Sequence, residues 1–161
     1  MGDFKDIMAK ADQKLAELGI ALPVPAAPVA NYVGYTVSGK TVYISGQLPF
    51  KNGKIAYTGR LGAGVSVEDG YEAGRLCAVN ILAQLKAACG GDLDRVSRVL
   101  RLGGFVNATP EFNDAPKCVN GASDLIVAVF GDAGRHARAA VGVASLPAGA
   151  AVEVDAVVEL K

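Results

Sequence analysis

The chain has 161 residues, a length that suits one domain around one core, so we predict a single domain over residues 1–161. Apolar residues make up 51% of the sequence, which is enough to form that core without disulfides or a metal. Sixteen basic residues balance sixteen acidic ones, and a nucleic-acid binder usually carries a basic excess. We therefore expect no nucleic-acid partner.

No stretch approaches the roughly 20 uninterrupted apolar residues of a membrane span, and we expect none. The first residues lack the basic stretch and apolar run of a signal peptide. Cys77, Cys89 and Cys118 are scattered and there is one histidine, so we expect no metal site, no cofactor and a reducing, cytoplasmic location. Buried structural thiols are favoured over a catalytic one.

Apolar residues at helical spacing predict a first helix over residues 3–18, which ends at Gly19. Prolines at 23, 25 and 28 then predict an extended connector. We interpret residues 1–22 as a helical extension that lies on the domain.

The next segments predict a hairpin, a long helix, a strand, a second helix and two final strands. The hairpin strands are Tyr32–Val37 and Thr41–Leu48, followed by a tight turn at Lys51–Lys54. The long helix begins at Ser66, which forms a capping-box pattern with Asp69, and ends at Gly90-Gly91. The remaining elements are a strand over 96–107, a helix over 115–130, and strands over 138–143 and 151–160.

This order predicts an α+β fold in which two long helices cover one face of a sheet. The other face must meet solvent or another subunit. Strand alternation places Arg138, Ala140 and Gly142 opposite an apolar set formed by Ala139, Val141 and Val143. It also turns Glu153, Asp155 and Glu159 away from the core.

Ser45 and Gln47 complete the polar face that this alternation predicts. Two interpretations remain open. Arg138 and Glu153, on the next strand, form either a carboxylate-binding hollow among small residues or a cross-strand ion pair on a wet sheet. Alternation alone favours the ion pair.

Three motifs occur in order along the chain. They are Tyr43-Ile-Ser-Gly-Gln-Leu-Pro49, Arg138-Ala-Ala-Val-Gly-Val-Ala-Ser-Leu-Pro147 and Val152-Glu-Val-Asp-Ala156. Together they resemble the RidA/YjgF family, also labelled endoribonuclease L-PSP, over about residues 28–160. The resemblance implies a chorismate-mutase-like α+β fold, a homotrimeric barrel and ligand clefts between subunits.

The resemblance also implies an enzyme that hydrolyses 2-imino or enamine acids to 2-oxo acids and ammonia. Arg138 matches the family's carboxylate-holding arginine, and Glu153 matches its water- or proton-handling glutamate. Tyr32, Ser45, Gly46 and Asn120 match its other ligand contacts.

Two positions depart from the family pattern: Ala140 replaces the usual cysteine beside the arginine, and His136 replaces a proline. A non-catalytic trimer that binds small carboxylate metabolites is therefore the main alternative. Zero net charge and a single histidine argue against an endoribonuclease, and a chorismate mutase is suggested by fold analogy alone. His136 is interpreted as an exposed loop residue, with titration near the cleft as the alternative.

Overall fold

A computed structural model describes residues 9–161. Of the helix predicted over residues 3–18, it shows helix α1 (Lys10–Glu17); Phe4, Ile7 and Met8 of the predicted apolar face lie outside the described residues. The helix ends as predicted, with Gly19 at a φ of 70°.

Helix α1 lies against the rest of the molecule. Its first amides, those of Lys10 and Ala11, donate to the Asp94 carboxylate at 2.8 and 3.1 Å, so a distant side chain caps the helix. Lys86 and Asp12 form an ion pair at 3.0 Å. Ala11 and Leu15 are buried beneath it.

The strands are β1 (Tyr35–Ser38), β2 (Thr41–Gln47), β3 (Phe50–Lys51), β4 (Lys54–Ile55), β5 (Arg60–Leu61), β6 (Gly64–Val65), β7 (Val96–Asn107), β8 (Ala137–Val143) and β9 (Val152–Leu160). Five of them form the main sheet in the order β1-β2-β9-β7-β8, with β7 and β8 parallel and the other neighbours antiparallel. Two short pairs, β3–β4 and β5–β6, lie outside this sheet. The long helices are α2 (Val67–Ala88) and α3 (Ala115–Phe130).

Helices α2 and α3 pack on one face of the sheet, here called the covered face, and the opposite face is called the bare face. The core lies between the helices and the sheet, where Val152, Val154 and Leu102 are fully buried. All three cysteines are buried, as predicted. The predicted α+β architecture is confirmed.

Most predicted boundaries are confirmed. The Ser66 hydroxyl caps α2 by accepting the Asp69 amide at 3.1 Å, and β7 and α3 cover the predicted residues. The first strand begins at Tyr35 instead of Tyr32, because pairing with β2 starts where the Ser45 amide donates to the Gly34 carbonyl.

The predicted position of Gln47 on the polar face is wrong. The register of β2 against β9 shifts between Ile44 and Gln47, so the chain carries an extra residue there. This β-bulge turns Gln47 to the covered face opposite Val154, where it is only 7% exposed.

No helix within residues 9–161 combines the length and hydropathy that a membrane crossing requires. Among the same residues, no three His, Cys, Asp or Glu side chains gather as metal ligands would.

Candidate functional site

A cleft of about 560 Å³ opens beside the β2 bulge. Tyr32, Ser45, Gly46 and Glu153, four of the predicted site residues, line it together. Pro23, Val24 and residues 26–29 of the connector, together with Phe50 and Pro147, supply much of its apolar wall. A mostly apolar cleft with a few convergent polar groups is the usual form of a small-molecule site.

Ser45 and Gly46 form the bulge. The backbone of both residues and the side chain of Ser45 therefore line the cleft. The Ser45 hydroxyl donates to the Val33 carbonyl at 2.6 Å, which leaves its oxygen free to accept a bond from a ligand. A Cβ at position 46 would collide with the Glu153 carboxylate, so only glycine lets that side chain lie against the strand.

Glu153 is half-buried on the bare face. Burial raises the pKa of its carboxyl group, and the negative charge of Asp155 raises it further. A carboxyl group with a raised pKa is suited to exchange protons with a substrate near neutral pH.

Two polar side chains of α2 hold the walls of the cleft. The Asn80 amide donates to the Leu48 and Phe50 carbonyls at 3.0 and 3.1 Å. The Gln84 amide donates to Ala26 in the connector at 3.0 Å. These residues were not predicted, although a polar pair four residues apart within a buried helical stripe was a usable signal.

Arg138 belongs to a second cluster, against helix α3. Its Nη1 donates to Asn120 Oδ1 at 2.8 Å and to Ser123 Oγ at 3.1 Å. Ser123 Oγ lies 2.8 Å from His136 Nε2, and His136 Nδ1 lies 2.6 Å from the Gly134 carbonyl oxygen. Within residues 9–161, Nε and Nη2 of Arg138 have no protein partner, so one edge of the guanidinium can receive a carboxylate.

The prediction that Arg138 and Glu153 share a face on neighbouring strands is wrong. Strand β7 lies between β8 and β9, and Arg138 lies opposite Leu102, on the covered face. Glu153 lies opposite Phe105, and that row continues to Val141 on the bare face. The cross-strand Arg–Glu ion pair is therefore absent from residues 9–161.

Strand alternation misassigned the two faces of β8 because, apart from Arg138, the side chains on both faces are small and uncharged. Ala140 and Gly142 are on the covered face, and Ala139 and Val141 are on the bare face. Small residues suit the covered side because α3 lies very close to the sheet there. Gly104, which pairs with Ala140, lies against the side chain of Val119.

The family model described as "YjgF/chorismate mutase-like, putative endoribonuclease" matches residues 12–160. The chain belongs to the YjgF family. Protein TCP17 of Trypanosoma cruzi is 55% identical over 147 residues, which cover 91% of each chain. The resemblance seen in the three motifs is thereby confirmed.

Solved structures of the YjgF type have the same fold. Atu1372 from Agrobacterium tumefaciens, described as of unknown function, is 54% identical with a TM-score of 0.89, covering 94% of this chain and 93% of its own. A "putative endoribonuclease" from Shewanella oneidensis is 39% identical with a TM-score of 0.90, covering 93% and 99%. The YjgF gene product of E. coli, 21% identical with a TM-score of 0.62 over 86% and 94%, shares the fold.

Proposed function

We propose that this YjgF-family protein hydrolyses reactive 2-imino and enamine acids to 2-oxo acids and ammonia, in the cytoplasm. The proposed assembly is a homotrimer in which each active site is composed of two copies. Arg138, Asn120 and Ala140 come from one copy, and Tyr32, Ser45, Gly46 and Glu153 come from the next.

The observation that carries this proposal is the separation of the two clusters. Within one copy, Arg138 faces α3 on the covered side, whereas Glu153 reaches the cleft from the bare side. Each cluster has groups suited to half of one reaction: a guanidinium for a carboxylate, and a proton-exchanging carboxyl. A second copy is the simplest way to bring the two halves to the same ligand.

The bare face supports such an assembly. Tyr43 is 51% exposed and Val141 is 46% exposed, although both belong to the central sheet. Phe105 and Val141 lie in the same row as Glu153, so apolar surface extends from the cleft to the sheet edge. Apolar surface beside a ligand cleft is typical of an interface.

In the proposed mechanism, the substrate carboxylate binds the free edge of Arg138 from one copy. The imine carbon then lies in the cleft of the neighbouring copy, near Ser45 and the Gly46 amide. Holding the imine and a water in this geometry supplies much of the acceleration, because imines already hydrolyse in water.

Glu153 moves the protons in both halves of the reaction. As a carboxylate it accepts a proton from water while the water oxygen bonds to the imine carbon. The C=N double bond becomes a C–N single bond, and the nitrogen takes up a proton from solvent to give a carbinolamine. Glu153 then gives its proton to the nitrogen and the C–N bond breaks to release ammonia. The hydroxyl proton passes back to Glu153, which returns it to solvent, and the 2-oxo acid is left.

The test is a coupled assay in which an amino-acid oxidase generates a 2-imino acid and its loss is followed spectroscopically. We expect the protein to accelerate that loss, and Arg138→Ala to lower kcat/KM at least about 100-fold while the trimer remains folded. A fully active Arg138→Ala variant would contradict the assignment.

A mixing experiment tests whether the site is shared. Arg138→Ala and Glu153→Gln, each inactive alone, are co-expressed in equal amounts. If each site takes Arg138 from one copy and Glu153 from another, about a quarter of the sites are intact in random trimers, and activity returns to about a quarter. Continued inactivity of mixed trimers would place both residues in one copy.

The second candidate is a non-catalytic protein that binds 2-oxo acids, favoured by Ala140. This residue lies on the same face as Arg138 and offers no reactive group where the family usually has a cysteine. The second candidate predicts that 2-oxobutanoate binds, that Arg138→Ala abolishes binding, and that no imino acid is turned over.

Salt-insensitive, weak RNA affinity would exclude the endoribonuclease label for this chain.

A further inference from the structure

The Arg138 cluster contains a chain of hydrogen bonds that the proposed mechanism does not use. It runs from the Gly134 carbonyl through His136 and Ser123 to Arg138, with donor–acceptor distances of 2.6, 2.8 and 3.1 Å. His136 and Ser123 come from different elements, so α3 and the segment before β8 are joined at this point.

The direction of each bond follows from its partners. A backbone carbonyl only accepts, so His136 Nδ1 carries a proton and donates it to Gly134. In neutral His136, Nε2 is then an acceptor for the Ser123 hydroxyl. The Ser123 oxygen keeps lone pairs for Arg138 Nη1, which only donates.

These hydrogen bonds fix one edge of the Arg138 guanidinium, which stands at the end of a long and flexible side chain. Arginine has a large rotamer entropy, and an unrestrained guanidinium would lose it on binding a ligand. Asn120 holds Nη1 as well, but it is an exposed residue of α3. The half-buried Ser123–His136 pair provides the support that is anchored to backbone.

We propose that His136 is a positioning residue, which acts through Ser123 to orient the guanidinium of Arg138 for a substrate carboxylate. The inference rests on the proposed carboxylate-binding role of Arg138. It assigns a function to His136, which stands where the family usually has a proline. It also predicts that this protein holds Arg138 by hydrogen bonds through Ser123 and His136, in place of the rigid ring of that proline.

Two substitutions separate positioning from a general structural role. His136→Gln keeps an amide oxygen where Nε2 accepts from Ser123, and His136→Asn keeps a donor near Gly134 but cannot reach Ser123. The probe is 2-oxobutanoate, measured by calorimetry with the full-length protein. We expect Kd and KM to rise about fivefold to tenfold in His136→Asn and Ser123→Ala, with kcat much less changed.

The matched controls are His136→Gln, which keeps the contact with Ser123 and should lose clearly less affinity than His136→Asn, and Arg135→Ala. Arg135 is an adjacent exposed arginine that pairs with Asp132, and its loss should leave Kd unchanged. Equal affinity in wild type, His136→Asn and Ser123→Ala would overturn the proposal. Equal loss in His136→Gln and His136→Asn would also overturn it.

Nitrogen NMR of His136 gives a readout that does not depend on turnover, since this is the only histidine. We expect the Nδ1–H tautomer in the free protein and a change of the Nε2 shift when 2-oxobutanoate binds. Binding with this shift but without turnover would sustain the positioning role and defeat the deaminase. No binding of any 2-oxo acid would defeat both.

Discussion

Glu153 lies where an ionised side chain is unfavourable. The side chain is half-buried, it lies on the same face of β9 as Asp155, and the pKa of its carboxyl is raised by burial and by that neighbour. The fold therefore places this carboxyl group where its charged form is less stable than it would be in water. Charging the carboxyl group there costs stability, and the proposed catalytic role would account for that cost.

This cost leads to a prediction about Glu153→Gln. In the unfolded chain the carboxyl titrates at its ordinary pKa, so between that value and the raised folded value the folded state binds more protons. Folded stability therefore decreases as the pH rises through this window. We expect Glu153→Gln to unfold up to about 3 °C higher than wild type at pH 7, because the glutamine cannot ionise.

The gain should disappear at a pH below the ordinary glutamate pKa, where Glu153 is protonated in both states. Thermal unfolding followed by circular dichroism at both pH values measures it. Glu159→Gln, which removes the same charge near the other end of β9, is the matched control and should change the midpoint by less than about 1 °C. A gain that persists unchanged at acid pH would contradict this interpretation of Glu153.

At the scale of elements, the crossing of α2 and α3 fixes the position of the Arg138 cluster. The two helices come into backbone contact, because a Cβ at Gly121 would collide with the Tyr71 carbonyl and one at Gly74 with the Cys118 carbonyl. Neither obstacle is a flexible side chain. Close approach of α2 thus sets how far α3, which carries Asn120 and Ser123, stands from β8.

We therefore expect Gly121→Ala to lower the free energy of unfolding by about 1–3 kcal/mol, although alanine favours helices. Urea denaturation measures the change. Gly142→Ala is a suitable control, since its Cβ would first meet Ala108 at an ordinary contact distance of 3.7 Å. Comparable losses in the two variants would show that the α2–α3 crossing tolerates a methyl group.

The same scale shows what sequence patterns can and cannot predict. Caps, glycine stops and apolar periodicity are local signals, and they located α2, α3 and β7 to within a residue or two. The bulge at Ser45–Gly46 and the parallel register of β8 are set by partner strands, so alternation failed at Gln47 and at Arg138. Residues that match the family were found because the motifs name them, although their mutual geometry was not predictable.

At the scale of the whole molecule, the two clusters are incomplete in complementary ways. Among residues 9–161, the Arg138 cluster offers a guanidinium but has no carboxyl group among its hydrogen-bonded residues, and the lining of the Glu153 cleft includes no lysine or arginine. Zero net charge fits a protein that associates with copies of itself without strong repulsion. Under the proposed function, these features favour an assembly in which catalysis depends on oligomerisation.

A substitution at Val141 tests whether activity depends on the trimer, because Val141 is exposed on the bare face in the same row as Glu153. We expect wild type to elute at about 49 kDa, three times the 16.4 kDa chain, and Val141→Lys to shift towards the monomer. A buried lysine without a partner is incompatible with a close interface. Light scattering gives the mass, and the deaminase assay should show that activity falls with the trimer fraction.

Val37→Lys is the matched control for Val141→Lys. Val37 is a β-strand valine with nearly the same exposure, 49% against 46%, but it lies opposite Val42 and therefore on the covered face. We expect this variant to remain trimeric and active. A trimeric, active Val141→Lys would show that the bare face is not the interface. A monomeric but fully active Val141→Lys would show that one copy suffices, and the proposal of a shared site would then be wrong even if the trimer exists.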